Sequence, residues 1–240
     1  MTMTMNHQAL LERFFETLVT GDRPAARTVV AKAKEAGLDG ESMILELFWP
    51  THQSLEKLRR ADQISTMSHH MATRLLRVLI DQCAAGMQVG PSRGKRVLAF
   101  CGGSEQEELA AQMAVDVLEA NGFTVCFAGS GIANDEILAR VNENKPDVLL
   151  MFASAPTDLP NIRALIDTVR EIGACPNMQF AVGGGVFNRA DGLAEEIGAD
   201  LWAKDPVEMA QVLIDEPGRK ADAAQRTVGK PRTKAAKKAA

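Results

Sequence analysis

The sequence predicts a mixed α/β protein in which an N-terminal four-helix bundle precedes a doubly wound, five-stranded parallel sheet. Three observations lead to this fold class. Apolar residues recur at helical spacing over residues 5–84, residues 85–94 are rich in Gly and Pro, and strand-like and helix-like segments alternate from Lys95 onward. A chain of 240 residues is long enough for two such domains. The predicted boundaries are 1–88 for the bundle, 95–215 for the α/β domain and 216–240 for a tail.

Residues that start or stop helices delimit the four predicted helices of the bundle. The first has apolar residues at helical spacing between Leu10 and Leu18, and a second follows at 25–36. The third runs from Ser42 to about Ala61 and contains Pro50, whose missing amide hydrogen predicts a kink. The capping and stopping residues are Asp22, Gly37 and Ser65. Short connections between amphipathic helices favour an antiparallel bundle.

Five near-continuous apolar runs predict the strands of the second domain, and a helix-like segment follows each of them. Such runs occur when helices cover both faces of a parallel sheet. The strands are predicted at 96–101, 123–128, 147–153, 178–183 and 200–203, and the helices at 105–121, 133–144, 160–173, 189–197 and 206–214. Right-handed crossovers then give a flavodoxin- or Rossmann-like sheet, whose ligands bind beyond the carboxyl ends of the strands. The loops predicted at this edge are 101–106, 128–133, 153–160 and 183–188.

Composition limits the classes of function. Hydrophobic residues make up 46% of the chain and charged residues 24%, which is ordinary for a globular protein. No apolar run reaches the ~18 residues of a membrane span, and the N-terminus lacks a signal-peptide pattern. Four widely spaced cysteines without a CxxC pair predict reduced thiols. We therefore expect a cytoplasmic protein without membrane contact.

The net charge of −4 hides a basic C-terminal tail. From Arg219 onward the sequence has eight basic residues and one acidic residue. The tail has almost no large apolar side chains, so we expect it to be disordered. Alternating Lys, Ala and Pro without aromatic residues suits either a solvated extension or nonspecific contact with the phosphates of a nucleic acid.

Several short motifs lie at the predicted ligand edge. They are Cys101-Gly102-Gly103 after the first strand, Gly129 after the second, Ser154 after the third, Gly183-Gly184-Gly185 after the fourth, and the Ile-Gly-Ala-Asp run at 197–200. This set resembles the cobalamin (vitamin B12) binding domain family. In that family a helical bundle also precedes a doubly wound domain, as in the corrinoid modules of methyltransferases and the B12-dependent light-sensing regulators. The resemblance covers roughly residues 5–215.

The resemblance implies cobalamin as the cofactor and a slot beside the sheet for its dimethylbenzimidazole tail. Glycines at this edge let the backbone approach the tail closely, and Ser154 and Thr157 match a Ser and a nearby Thr that face it. The implied cofactor-binding residues are Ser104, Glu105, Glu107, Gly129, Ser154, Thr157, Gly183, Gly184, Gly185 and His70. Glycines at strand ends also have a purely structural interpretation, because they allow tight turns.

The sequence departs from the family pattern at the cobalt ligand. The first loop of the family reads Asp-x-His-x-x-Gly, and Glu105, Glu107 and Ala110 stand at these three positions here. A carboxylate is a poorer lower ligand for cobalt than an imidazole. The same acids also have an ordinary explanation, since acidic residues are favoured in the first turn of a helix. His70 matches the histidine of the upper face, so the weak metal-ligand candidates are His70 and Glu107.

These observations predict a non-enzymatic sensory or regulatory module, which binds a corrinoid without the usual His ligand or has lost it. The sequence has no Ser-His-Asp, Cys-His or Walker pattern that would support catalysis. Two alternative functions are a corrinoid carrier subunit of a methyltransferase system and a DNA-associated regulator that acts through the basic tail. The expected partners are a corrinoid or another small ligand, a protein, and nucleic acid at the tail. Bundle surfaces in this family often pair, so a homo-oligomer is a further expectation.

Overall fold

The computed structural model describes residues 7–103 and 108–221. Its N-terminal part is helical, as predicted. The elements are α1 (His7–Thr20), α2 (Arg23–Glu35), α3 (Gly40–Met43), a π-helical segment (Ile44–Phe48), α4 (Trp49–Arg60) and α5 (Thr66–Ala84). The predicted caps are present, because Asp22 accepts a hydrogen bond from the Ala25 amide at 3.0 Å and Ser65 accepts one from the Ser68 amide at 3.1 Å. None of the helices in the described ranges is long and apolar enough to cross a membrane.

The irregularity predicted at Pro50 is a π-helical turn that comes just before it. The amide of Trp49 donates to the carbonyl of Ile44, five residues back, instead of to the usual partner four residues back. Pro50 follows at the start of α4. Proline is tolerated best at this position, because its missing amide hydrogen disturbs the helical hydrogen bonds least there. The wider turn changes the phase of the helix at Trp49, and π turns of this kind occur often at functional sites.

The second domain has the predicted doubly wound fold. Its elements are β1 (Arg96–Cys101), α6 (Glu108–Ala120), β2 (Thr124–Phe127), α7 (Asn134–Asn144), β3 (Val148–Phe152), α8 (Leu159–Ile172), β4 (Gln179–Gly183), α9 (Leu193–Glu196), β5 (Leu201–Trp202) and α10 (Pro206–Asp215). All strand pairs are parallel, in the order β2-β1-β3-β4-β5. The strand order reverses between β1 and β3, and ligands of such sheets bind at this switch point.

A continuous apolar core joins the bundle to one face of the sheet. It includes Phe14 and Leu76 of the bundle, Met113 of α6 and Met209 of α10. A separate core lies on the other face, under α7 and α8. The bundle therefore packs on the layer formed by α6 and α10. Contacts of this kind hold two domains in a fixed arrangement better than a linker alone.

The buried carboxylate of Asp200, in the Ile-Gly-Ala-Asp run, anchors the end of the described chain. It accepts hydrogen bonds from Phe180 N at 2.8 Å, Ala221 N at 2.7 Å and Arg170 Nη2 at 2.9 Å. Residues 216–221 thus lie against the sheet, although the sequence places them in the tail. The rest of the predicted tail, 222–240, falls outside the described residues.

Asp116 on α6 gives a first testable prediction. Gln112 donates to its Oδ1 at 2.7 Å, whereas its Oδ2 is buried without a hydrogen-bond partner in the described part of the chain. Burial raises the pKa of Asp116 to about 6, and the charges of Glu119 and Asp81 act in the same direction. The folded state is therefore penalised once the unfolded carboxyl ionises, and this penalty grows from pH ~4 to ~6.

We expect the Asp116→Asn variant to be more stable than the wild type at pH 7.5, by about 1 kcal/mol after allowance for solvent screening. The difference should be much smaller near pH 4, where the carboxyl is protonated in the folded state and about half protonated in the unfolded state. Urea unfolding at several pH values measures it. A gain in stability that is equal at pH 4 and pH 7.5 would contradict the ionisation argument.

Candidate functional site

The loops that follow the strands come together at the carboxyl edge of the sheet, as the topology predicts. The Cys101 amide donates to the Gly129 carbonyl at 2.8 Å, and the Gly102 amide donates to the Phe152 carbonyl at 2.8 Å. These hydrogen bonds continue the pairing of β1 with β2 and with β3 at the carboxyl end of β1. The predicted site residue Gly129 is thus held beside the first loop, where its φ of +80° suits glycine.

The Gly183–Gly185 run brings two loops into close backbone contact. Gly184 has a φ of +104°, and a Cβ added to it would lie 2.3 Å from the carbonyl oxygen of Ala153. A Cβ on Gly185 would lie 2.7 Å from Nη1 of Arg189. Glycine is therefore required at 184 by the backbone, whereas a side chain at 185 would only have to displace the end of the flexible Arg189 side chain. Both of these glycines belong to the predicted site.

Arg189 supplies a positive charge at this edge. Its Nη2 donates to the carbonyl of the predicted site residue Ser154 at 2.6 Å. Burial lowers the pKa of the Arg189 guanidinium, and the charge of Arg60 on α4 lowers it further. A cation of the bundle and a cation of the α/β domain therefore lie close enough to interact. This pair could not be identified from the sequence, because neither residue belongs to a recognisable motif.

The third loop contacts the first loop through a carboxylate. The Gly103 amide donates to Asp158 Oδ1 at 3.5 Å, and Asp158 Oδ2 is buried without a hydrogen-bond partner among the described residues. The neighbouring Thr157 is exposed in the 3₁₀ turn Pro156–Asp158. The predicted site residues Ser104, Glu105 and Glu107 lie outside the described residues. Their roles remain predictions.

Glu108, the first residue of α6, connects the edge to the bundle. Its Oε1 accepts hydrogen bonds from the amide of Ser130 at 3.0 Å and from the Ser130 hydroxyl at 2.7 Å. Its Oε2 lies 3.6 Å from Arg77 Nη2 on α5. In the structure Glu108 holds the loop after β2 and forms an ion pair with the bundle.

The histidines of the bundle are arranged differently from the expectation. His70 is exposed, whereas its neighbour His69 is fully buried and its Nε2 lies 2.9 Å from Glu56 Oε1. His52 is also buried, and its ring lies 5.8 Å from that of Trp49. The described residues contain no group of three or more His, Cys, Asp or Glu side chains that could hold a metal ion. Of the two adjacent histidines, His69 is the buried one and His70 is the exposed one.

A narrow cavity lies beside the sheet where the resemblance implies a slot for the base of the cofactor. Its lining includes Gly183 and Gly184, Phe152 of β3, Met209 of α10 and Trp49 of the bundle. Its volume is about 10 Å³. An apolar cavity of ~150 Å³ binds benzene, and dimethylbenzimidazole is larger. The side chains in this conformation therefore do not fit the base.

Comparisons with known proteins agree with the fold and with the motifs at the carboxyl edge of the sheet. Residues 95–210 match the model of the B12 binding domain. Monomethylamine corrinoid protein 1 of Methanosarcina mazei is 20% identical over 217 residues, which cover 88% of this chain and 99% of that protein. Dimethylamine corrinoid protein 1 of Methanosarcina acetivorans is 22% identical over 206 residues, which cover 85% and 95%.

A solved structure extends the agreement to both domains. The monomethylamine corrinoid protein of Methanosarcina barkeri superposes with a TM-score of 0.77 at 17% identity, over 88% of this chain and 99% of that one. The predicted fold class is thus confirmed, including the bundle that precedes the doubly wound sheet. Together with the motifs at the sheet edge, the match over 95–210 identifies the second domain. Residues 95–210 of this chain belong to the B12-binding domain family.

Proposed function

We propose that the chain is a non-enzymatic corrinoid carrier, which binds cobalamin or a related corrinoid and presents it to a methyltransferase partner. The observation that carries this proposal is the extent of the match to the methylamine corrinoid proteins. The match spans 99% of one such relative and includes the bundle as well as the B12-binding domain. Of the functions considered from the sequence, the carrier is therefore favoured over the sensory or regulatory module.

The geometry of the edge supports corrinoid binding. The loops after β1, β3 and β4 converge at the switch point, and glycines at 184 and 185 keep backbone close to it. The bundle packs beside this edge, and the charge of Arg60 on the bundle lowers the pKa of Arg189 at the edge.

A titration of the full chain with hydroxo-, methyl- and adenosylcobalamin tests the proposal. We expect a dissociation constant in the micromolar range or tighter for at least one form, from calorimetry and visible absorbance. The Glu107→His variant should bind at least about tenfold more tightly, with a spectral change, because it restores imidazole at the position of the family ligand. Gln106→His is the matched control and should not gain affinity. Failure of the wild-type chain to bind any of these forms would contradict the proposal.

The DNA-associated alternative can be separated from the carrier by a truncation. Ala221 is the last described residue and its amide bonds to Asp200, so the deletion should remove only residues 222–240. A carrier is expected to bind corrinoid equally well without these residues. Retention on DNA that is lost on deletion, and that falls steeply with salt in the intact chain, would favour the regulator.

A further inference from the structure

We propose that side chains of this protein fill the base slot, so that the domain binds corrinoids whose lower base stays outside the slot or is absent. The inference rests on the proposed corrinoid-binding function. It assigns a specificity-determining role to three residues, Trp49, Phe152 and Met209, which we call the slot residues. Corrinoids that lack the nucleotide base should then bind as well as complete cobalamin.

Phe152 and Met209 cover the part of the slot that lies over Gly183. A Cβ on Gly183 would meet Phe152 Cε1 at 3.0 Å and Met209 Cε at 3.2 Å. Both slot residues are buried, at 5% and 1% exposure. The space left by the missing side chain of Gly183 is therefore occupied by the ring of Phe152 and by the side chain of Met209. A bound base would need the same space.

The backbone fixes the position of Phe152. This residue ends β3 and is paired in register with Gly183 of β4. Its carbonyl accepts the hydrogen bond from the Gly102 amide, which ties the backbone of Phe152 to the first loop. An aromatic side chain that stands opposite a glycine on the neighbouring strand packs over that glycine. The ring can leave the slot only if it gives up this packing.

Trp49 closes the slot from the other domain. It lies at the start of α4, directly after the π-helical segment, and lines the cavity together with Ala110 and Ala114 of α6. Its ring is also 5.8 Å from that of the buried His52. The bundle therefore contributes a side chain to the slot, in addition to covering the edge.

The residue at the position of the family's cobalt ligand also supports the inference that the slot is filled. A histidine at position 107 would replace benzimidazole on cobalt and leave the base free to enter a slot, whereas this chain has Glu107. The weak ligand Glu107 would not displace benzimidazole from cobalt, and a filled slot would not accept the displaced base. The two features are therefore consistent with each other. Base-on cobalamin and a base-free corrinoid such as cobinamide share the parts that this site can accept.

Parallel titrations with aquocobalamin and aquocobinamide test the inference. The wild type should bind the two within about threefold of each other, and the absorbance of bound cobalamin should report benzimidazole still on cobalt. Phe152→Ala and Trp49→Ala should open the slot and raise the preference for cobalamin over cobinamide by at least about tenfold. Phe100→Ala is the matched control, because Phe100 is buried in the core on the opposite face of the sheet.

The outcomes separate this inference from the proposed function. If the wild type binds neither corrinoid, the carrier proposal fails. If it binds cobalamin at least about tenfold more tightly than cobinamide, with the base off cobalt, the carrier proposal stands and the filled slot is overturned. Circular dichroism confirms that each variant is folded. Met209→Ala makes a smaller change and replaces either variant that does not fold.

Discussion

The Gly184→Ala variant is expected to lose about 3 kcal/mol or more of the free energy of unfolding. The added Cβ would lie 2.3 Å from Ala153 O and 2.9 Å from Ala153 N, so it meets backbone that cannot rotate away. The φ of +104° adds strain for any residue with a side chain. The loops after β3 and β4 must separate to relieve the overlap, and the ligand edge changes with them.

Gly192→Ala is the matched control for this prediction. Gly192 also has a positive φ, of +77°, but nothing lies within 4 Å of its added Cβ. Its substitution should cost about 1 kcal/mol, from backbone strain alone. Urea unfolding of both variants measures the difference, and hydrogen exchange at the Ala153 amide, which donates to Gly183, reports whether the two loops have separated. Equal losses in the two variants would show that the close approach at Gly184 contributes nothing.

The fold could be predicted from the sequence because each element carries a strong periodic pattern. All five predicted strands are observed, with ends that differ by at most one residue. The caps at Asp22 and Ser65 are also observed, since a side-chain acceptor at the start of a helix is a local feature. The main departure is the π-helical segment before Pro50, where the sequence predicted a kink but not its geometry.

The site was only partly predictable. Gly129, Ser154 and the run at 183–185 could be placed at one edge, because topology alone brings the carboxyl ends of parallel strands together. The residues that fill the slot could not be identified this way. Phe152 and Met209 look in sequence like ordinary core residues, and the orientation of Trp49 depends on the π turn before it.

The histidine pair of the bundle shows how a motif match and a helical pattern can disagree. Alignment to the family favoured His70, which the structure places at the surface. His69 is in phase with the buried residues Ala72, Leu76 and Ile80 of α5. Helical spacing of 3.6 residues per turn puts these four side chains on one face. Periodicity therefore indicates which ring is buried, and the role of His70 toward a cofactor stays a prediction.

Acidification from pH 6.5 to 4 is expected to remove about 3 kcal/mol of the stability of the wild type through His52. Burial lowers the pKa of His52 to about 4, with smaller contributions from His69 and Arg60 that the charge of Glu56 opposes. The ring is protonated in the unfolded chain below pH ~6.5 but stays neutral in the folded chain. This stability is therefore complete above pH 6.5 and is lost as the pH falls through 4.

The His52→Gln variant removes this titration. It is expected to be less stable than the wild type at pH 7.5, because the packing against Trp49 is lost, but its stability should fall less between pH 6.5 and 4. His70→Gln, which removes an exposed imidazole of the same bundle, is the matched control variant. Urea unfolding at half-unit intervals of pH provides the comparison. A parallel loss of stability in the wild type and in His52→Gln would contradict the assignment.

The dependence of wild-type stability on pH combines the opposite effects of Asp116 and His52. The raised pKa of Asp116 stabilises the folded state as the pH falls from about 6 to 4, which opposes the effect of His52 over almost the same range. The wild type should therefore lose less stability on acidification than His52 alone predicts. Asp116→Asn should steepen the loss and His52→Gln should flatten or reverse it. Because the two groups act with opposite signs, only the pair of variants can assign the pH dependence to the bundle and to α6 separately.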